Sequence, residues 1–143
     1  MTAAEPTLDE VQDDIVAEFE SFDEWMDRYG YLIELGKTLP PMDPAYKTDA
    51  HLIKGCQSRV WVRPEPRDGT IVFQADSDAA ITKGIIALLV RVLSGRPPQE
   101  IAAADLRFID QIGLQENLSP TRSNGLLAMI QQMKRYAAER ASA

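Results

Sequence analysis

Cysteine and histidine are almost missing from this chain of 143 residues, which has one of each, Cys56 and His51. A lone cysteine forms no internal disulfide, and two such ligands fall short of the roughly four that a structural zinc takes. Long apolar runs are missing too. The best candidate, Gly84 to Val90, is bracketed by Lys83 and Arg91 and is far shorter than the ~20 residues of a membrane span. The opening MTAAEPTLDE is acidic, without the basic start and apolar stretch of a secretory signal. Together with the unpaired cysteine, this predicts a cytoplasmic protein of the reducing cytosol, with no membrane partner. Neither GxGxxG nor GxxxxGKS/T occurs, so nucleotide binding has no support. The carboxylates follow no calcium-loop spacing. No metal and no cofactor is expected on this chain.

Positive charge is absent from the start of the chain. Between Glu5 and Asp27 every ionised side chain is Asp or Glu, and the first basic residue is Arg28. With a formal net charge of -7, such a surface repels phosphate backbones and excludes nucleic acid as a natural partner. The last stretch, with Arg122, Lys134, Arg135 and Arg140, is locally basic; a solvated helix face accounts for that.

What remains is an ordinary globular composition, 45% apolar and 26% charged, with no internal repeat or linker, so residues 1–143 are taken as one domain. Thr7 and Glu10 form a capping-box signal, followed by Leu8, Val11, Ile15, Phe19 and Phe22 at helical spacing. Ser21 and Glu24 repeat the signal before a second helix carrying Trp25, Tyr29, Leu32 and Ile33. TLPPMDPAYKTD then forbids regular helix with its three prolines. AHLIK, RVWVR and TIVFQAD are short β-branched or aromatic runs, joined by GCQS and by PEPRDG. The Asp-Gly pair is a hairpin signal, so a three-stranded antiparallel meander is expected, with Cys56 at one hairpin tip. Helices return with the stripe Ile81, Ile85, Leu88 and Val92, which ends at Gly95. A short helix or two follows. A last helix has Ser119 as N-cap, Pro120 at its first position and Leu126, Ile130, Met133 and Ala137 as its buried stripe. The fold class is α+β, a small three-stranded antiparallel sheet covered by helices.

Two readings of Cys56 stand on the residues alone. A small intracellular cysteine commonly packs as a hydrophobe. At a polar hairpin tip it is instead a nucleophile, whose free pKa near ~8.5 an adjacent Lys54 lowers. Gly55 admits positive φ and a close backbone approach, while Gln57 and Ser58 supply hydrogen-bond donors. His51 lies five residues before the thiol, but no Asp or Asn is tied to the pair, so it is read as a half-exposed strand histidine. Asp76 and Asp78, in ADSDAA, are placed at a helix start where capping explains them.

LIKGCQSRVWV resembles the signature of the SufE family, sulfur acceptors that work with cysteine desulfurases. YLIELGKTLPPM, FQADSDAAITKGIIALLVRVLSG and IGLQENLSPTRSNGLLAMI are similar to the family pattern in the same order, from about Leu8 to Lys134. The resemblance implies a fold shared with IscU-type scaffolds. It also implies that Cys56 accepts persulfide sulfur from a PLP-dependent desulfurase of SufS or CsdA type, stimulates that enzyme, and passes the sulfur to an iron-sulfur scaffold. PLP then belongs to the partner. Lys54, Gly55, Gln57 and Ser58 would support the cysteine loop. Asp78, in the SDA stretch, and Arg122, in the SPxR stretch, would support it or meet the partner. The chain departs from the pattern at His51, where Asn is expected. Two other classes stand beside this one. A partner-binding adaptor would need no reactive thiol, and an IscU-type scaffold would need several cysteine ligands where this chain has one.

Overall fold

The computed structural model describes residues 6–53 and 58–141. Helix α1 spans Leu8–Glu20 and opens on the expected capping box: Thr7 Oγ1 accepts from the Glu10 amide, and Glu10 Oε1 accepts from the Thr7 amide, both at 3.1 Å. The second capping signal does not form. Ser21 closes α1 instead, its hydroxyl donating to the Glu18 carbonyl, and Glu24 precedes α2 (Trp25–Lys37) without a side-chain cap. A short 3-10 turn, Pro44–Tyr46, interrupts the proline-rich stretch. Strands β1 (Val60–Arg67) and β2 (Thr70–Ser77) follow, then α3 (Ala80–Leu93), α4 (Pro98–Ala102), α5 (Phe108–Gln111), α6 (Leu114–Asn117) and α7 (Pro120–Ala141).

β1 and β2 pair antiparallel from Val60↔Ser77 to Arg67↔Thr70. Asp68 and Gly69 turn between them at φ 49° and 81°, the left-handed pair that a two-residue type I′ hairpin requires. The expected third strand shrinks to a single bridge, Leu52↔Trp61. Val62 N–H donates to the His51 carbonyl and Ile53 N–H to the Val60 carbonyl, so residues 60 and 62 turn their backbone groups outward from β2. By alternation positions 64 and 66 do the same, and both are prolines. With no N–H to donate, they stop further pairing along this edge. The other edge is blunted as well, because Ile71 exchanges backbone bonds with Gly95 and Arg96, and Ser94 Oγ accepts from the Phe73 amide.

Helix α3 lies at the centre. Ile81, Ile85, Leu88 and Val92 are all buried, as their spacing predicts, and so are Ile86, Leu89 and Leu93 on the opposite side. It is apolar nearly all round because the sheet covers one side while α1 and α2 cover the other. In α7 the buried stripe is Leu126, Met129, Met133 and Ala137; Met129 takes the place expected of Ile130, which is half-exposed. Buried Gln12 joins α1 to the short helices, donating to the Asp105 carbonyl and accepting from the Phe108 amide. Among the described residues no helix is long and apolar enough to cross a membrane.

Helices α2 and α3 touch through glycine. A Cβ on Gly84 would overlap the carbonyl of Leu32, and one on Gly36 would come within 2.8 Å of the Gly84 nitrogen. These are backbone atoms that no rotamer change can move. Gly84→Ala is therefore expected to cost about 3 kcal/mol, at the upper end of overpacking penalties. A urea titration followed by far-UV circular dichroism checks this; an unchanged midpoint would show that the helices can separate freely.

Candidate functional site

The stretch around Cys56 connects two chain segments that the fold holds together. On one side Ile53 is hydrogen-bonded to Val60 at 2.8 Å, and Val62 to His51 at 2.9 Å. On the other, Asp78 closes a reciprocal pair with Arg59: its Oδ1 accepts from the Arg59 amide at 3.0 Å, and its own amide donates to the Arg59 carbonyl at 3.3 Å. Asp78 is thus a backbone clasp on the segment leading out of GCQS. It does not cap α3, whose first residues have no side-chain cap; the Ser77 hydroxyl accepts from the Ala79 amide just ahead of the helix. Lys54, Gly55, Cys56 and Gln57 lie outside the described residues, so the placement of Cys56 at a hairpin tip does too. Ser58 is described and half-buried.

Ser58 and Arg122, far apart in sequence, line one cleft with Thr82 and Ile85 from α3 and Thr121, Gly125 and Met129 from α7. Its free space is about 20 Å³, roughly what one water-sized group occupies. Arg122 stands at its rim, with Nη1 3.3 Å from the Tyr29 hydroxyl of α2. Ser119 Oγ accepts from the Arg122 amide at 3.3 Å, the expected N-cap. Leu52, Val60 and Trp61 do not wall this cleft. Val60 is fully buried in the core, Trp61 meets the Lys47 ammonium at 5.5 Å, and Leu52 faces a separate groove against α7. Sequence periodicity placed Tyr29 on the apolar side of α2 but gave it no part in the site, and it did not single out Thr82 or Met129.

Beneath the two segments sits a buried charge. Asp76, 5% exposed, lies opposite Trp61 in the sheet. Its carboxylate accepts from the Ser77 amide at 2.8 Å and pairs with Lys47 at 2.7 Å and Lys83 at 3.4 Å. Burial pushes this carboxyl up. The Lys47 hydrogen bond, the Ser77 amide and the Lys83 charge outweigh that and hold it below the usual carboxylate range. Lys47 brings in the irregular segment after α2, and Lys83 brings in the first turn of α3. Cation–π contact of Arg63 with Tyr46, at 4.0 Å, and an edge contact of Tyr46 with His51 complete this support. His51 thus acts through its ring packing and its carbonyl. Among the described residues no group of three or more His, Cys, Asp or Glu is arranged to hold a metal.

The fold and site define a class: a small α+β domain in which residues of α3 and α7 meet around Ser58, two positions after its one cysteine in sequence. Residues 13–137 match the family model described as SufE, Fe-S metabolism associated domain, and the chain belongs to that family. It is 41% identical over 136 residues to an uncharacterized SufE-like protein of Rhizobium etli, covering 92% of each chain. It is 44% identical over 125 residues to SufE-like protein 1, chloroplastic/mitochondrial, of Arabidopsis thaliana; the match takes in 87% of this chain and 34% of that longer protein. In fold it is similar to the solution structure of a hypothetical protein from Thermus thermophilus, with a TM-score of 0.76 at 21% identity, covering 93% of this chain and 97% of that one. Membership ties the chain to iron-sulfur metabolism.

A carboxyl held below its ordinary range adds stability above about pH 4, its unfolded value, and loses it as the pH falls through the folded value. Asp76→Asn is therefore expected to be less stable at pH 7 by about 2 kcal/mol, the cost of stripping a buried charged acceptor from its donors. The gap should narrow as the pH drops below about 4. Urea midpoints from pH 7 to pH 3 measure it, and a gap independent of pH would mean that Asp76 acts by shape alone.

Proposed function

We propose that the chain is a sulfur acceptor for a PLP-dependent cysteine desulfurase, with Cys56 as the acceptor and an iron-sulfur scaffold as the onward recipient. The observation that carries this reading is the double clasp on the cysteine segment, Ile53 to Val60 on one side and Asp78 to Arg59 on the other. It fixes the described residues on both sides of the stretch that carries the cysteine in sequence. Family membership supports the same reading.

The chemistry is thiol exchange. The Cys56 thiolate attacks the outer sulfur of the enzyme-bound persulfide, so that a new S–S bond forms at Cys56 as the donor S–S bond breaks. The desulfurase cysteine leaves as a thiolate, the proton on the transferred sulfur stays with it, and no net oxidation occurs. Removing the persulfide frees the enzyme for another turnover, which is how the acceptor stimulates it. Lys54 favours the thiolate, Gly55 leaves room for the approaching donor, and Gln57 and Ser58 orient the segment. Asp78 holds its exit, and Arg122 faces it from the cleft it shares with Ser58. A cluster scaffold of IscU type would need more cysteine ligands than the one present, although the α+β architecture is one that we read as related to such scaffolds.

Incubation with a SufS-type desulfurase and 35S-cysteine tests the reading. Label should appear on the wild type, stable to gel filtration and released by dithiothreitol, and be absent from Cys56→Ser. An unlabelled wild type beside a turning-over desulfurase would leave only an adaptor. Arg122→Ala, with its fold retained by circular dichroism, is expected to slow labelling about 10-fold, a loss of about 1.4 kcal/mol. Unchanged labelling kinetics would remove Arg122 from the site.

A further inference from the structure

Of the 15 Lys and Arg residues, all but Lys54 lie among the described residues, and nearly all are engaged. Seven pair with carboxylates. Three more, Arg28, Lys134 and Arg140, donate to backbone carbonyls. Arg63 meets Gln74 and the Tyr46 ring, and Arg122 meets Tyr29. Two guanidinium groups are left without a partner among the described residues, those of Arg59 and Arg135. Both are exposed, and both flank the cysteine segment: Arg59 follows it directly, and Arg135 lies in a groove whose opposite wall is the chain leading into it.

That groove has a free volume of about 440 Å³ and runs between Leu52 and Ile53 on one wall and Gln131, Gln132, Arg135 and Tyr136 of α7 on the other. Ile53 is buried, so it forms an apolar floor. The side-chain amides of Gln131 and Gln132 have no hydrogen-bond partner among the described residues. A guanidinium beside two carboxamides matches a carboxylate-bearing peptide segment, because the planar fork takes a carboxylate through two parallel bonds while the amides meet its backbone. The surroundings sharpen the match. A chain of net charge -7 repels an acidic partner over most of its surface, so the two unneutralised arginines select both the docking site and the orientation.

We propose that the groove between residues 52–53 and α7 is a docking site for an acidic, extended segment of the desulfurase, held by Arg135 and steered by Arg59. This rests on Cys56 receiving its sulfur from such an enzyme. The occupant lies alongside residues 52–53, which lead into the cysteine in sequence, so docking orients the desulfurase along that stretch.

Binding of fluorescently labelled protein to a SufS-type desulfurase, titrated at 50 and 500 mM NaCl, tests the inference. Arg135→Glu is expected to raise Kd at least 10-fold at low salt, with the loss shrinking at high salt, and Arg59→Glu several-fold. Lys37→Glu makes the same charge change on an exposed ion pair of α2 and should shift Kd less than 2-fold. Carbodiimide treatment of an Arg135→Lys variant with the desulfurase should join the new amine to a carboxylate in an acid-rich peptide, identified by mass spectrometry. Equal Kd values for Arg135→Glu and Lys37→Glu, or no such crosslink from a complex that forms, would overturn the docking assignment even where 35S transfer to Cys56 proceeds. Absence of 35S transfer with tight, salt-sensitive binding would overturn the acceptor reading and leave the docking assignment standing.

Discussion

The contact between α2 and α3 through Gly84 is the constraint on which the rest of the structure depends. Two helices can lie with one backbone against the carbonyl of the other only where both side chains are missing, and Gly36 and Gly84 supply that pairing. The approach draws α3 into the space between α2 and the sheet, which explains why it is apolar on nearly every side. It also sets the neighbours of Gly84. Thr82 and Ile85 face the cleft beside Ser58, and Lys83 reaches Asp76. Four consecutive residues of one helix thus connect core packing to the site.

The second organising feature is how charge is spent. Nearly all the basic side chains of this acidic chain are used internally, joining α1 to α3 through Glu18 and Arg91, or the post-α2 segment to the sheet through Lys47 and Asp76. Glu18 illustrates the economy. It takes both Arg91 bonds and the Tyr31 hydroxyl, its carboxyl is held low by them, and the Tyr31 phenol is pushed up to about 12 by burial and by Glu18. Against this background Arg59 and Arg135 stand out, since their guanidinium groups have no partner among the described residues. Pro64 and Pro66 carry out a comparable exclusion in the sheet. They end pairing along the free edge of β1, so among the described residues the segment entering GCQS meets β1 at one bridge. A full third strand would have fixed that segment along its length.

Much of this was legible in the sequence because the signals were local. A capping box, a Ser-Pro helix start and an Asp-Gly turn each involve residues within four positions of one another, and each formed as expected. The apolar stripe of α3 was legible for the same reason. Where the expectation departed from the fold, either a competing local bond or a distant partner decided. Ser21 donates to the Glu18 carbonyl, so it closes α1 instead of opening α2. AHLIK had strand composition, but its would-be partner carried prolines at the outward positions. Met129 and Ile130 are both apolar, and only the packing around Gly125 and Ser58 determined which one is buried.

By itself the sequence determined the class of fold, the presence of a single cysteine within a contiguous motif, and the family to which the chain belongs. These follow from composition, short-range spacing and a motif carried by contiguous residues. Tertiary structure alone decided that Asp78 clasps Arg59 instead of capping a helix, that Asp76 is a buried anion between two lysines, and that Ser58 and Arg122 share a cleft. It also decided which arginines are left over. Each of these depends on groups brought together across tens of residues by burial and backbone pairing, and residue spacing along a chain carries no measure of such distances.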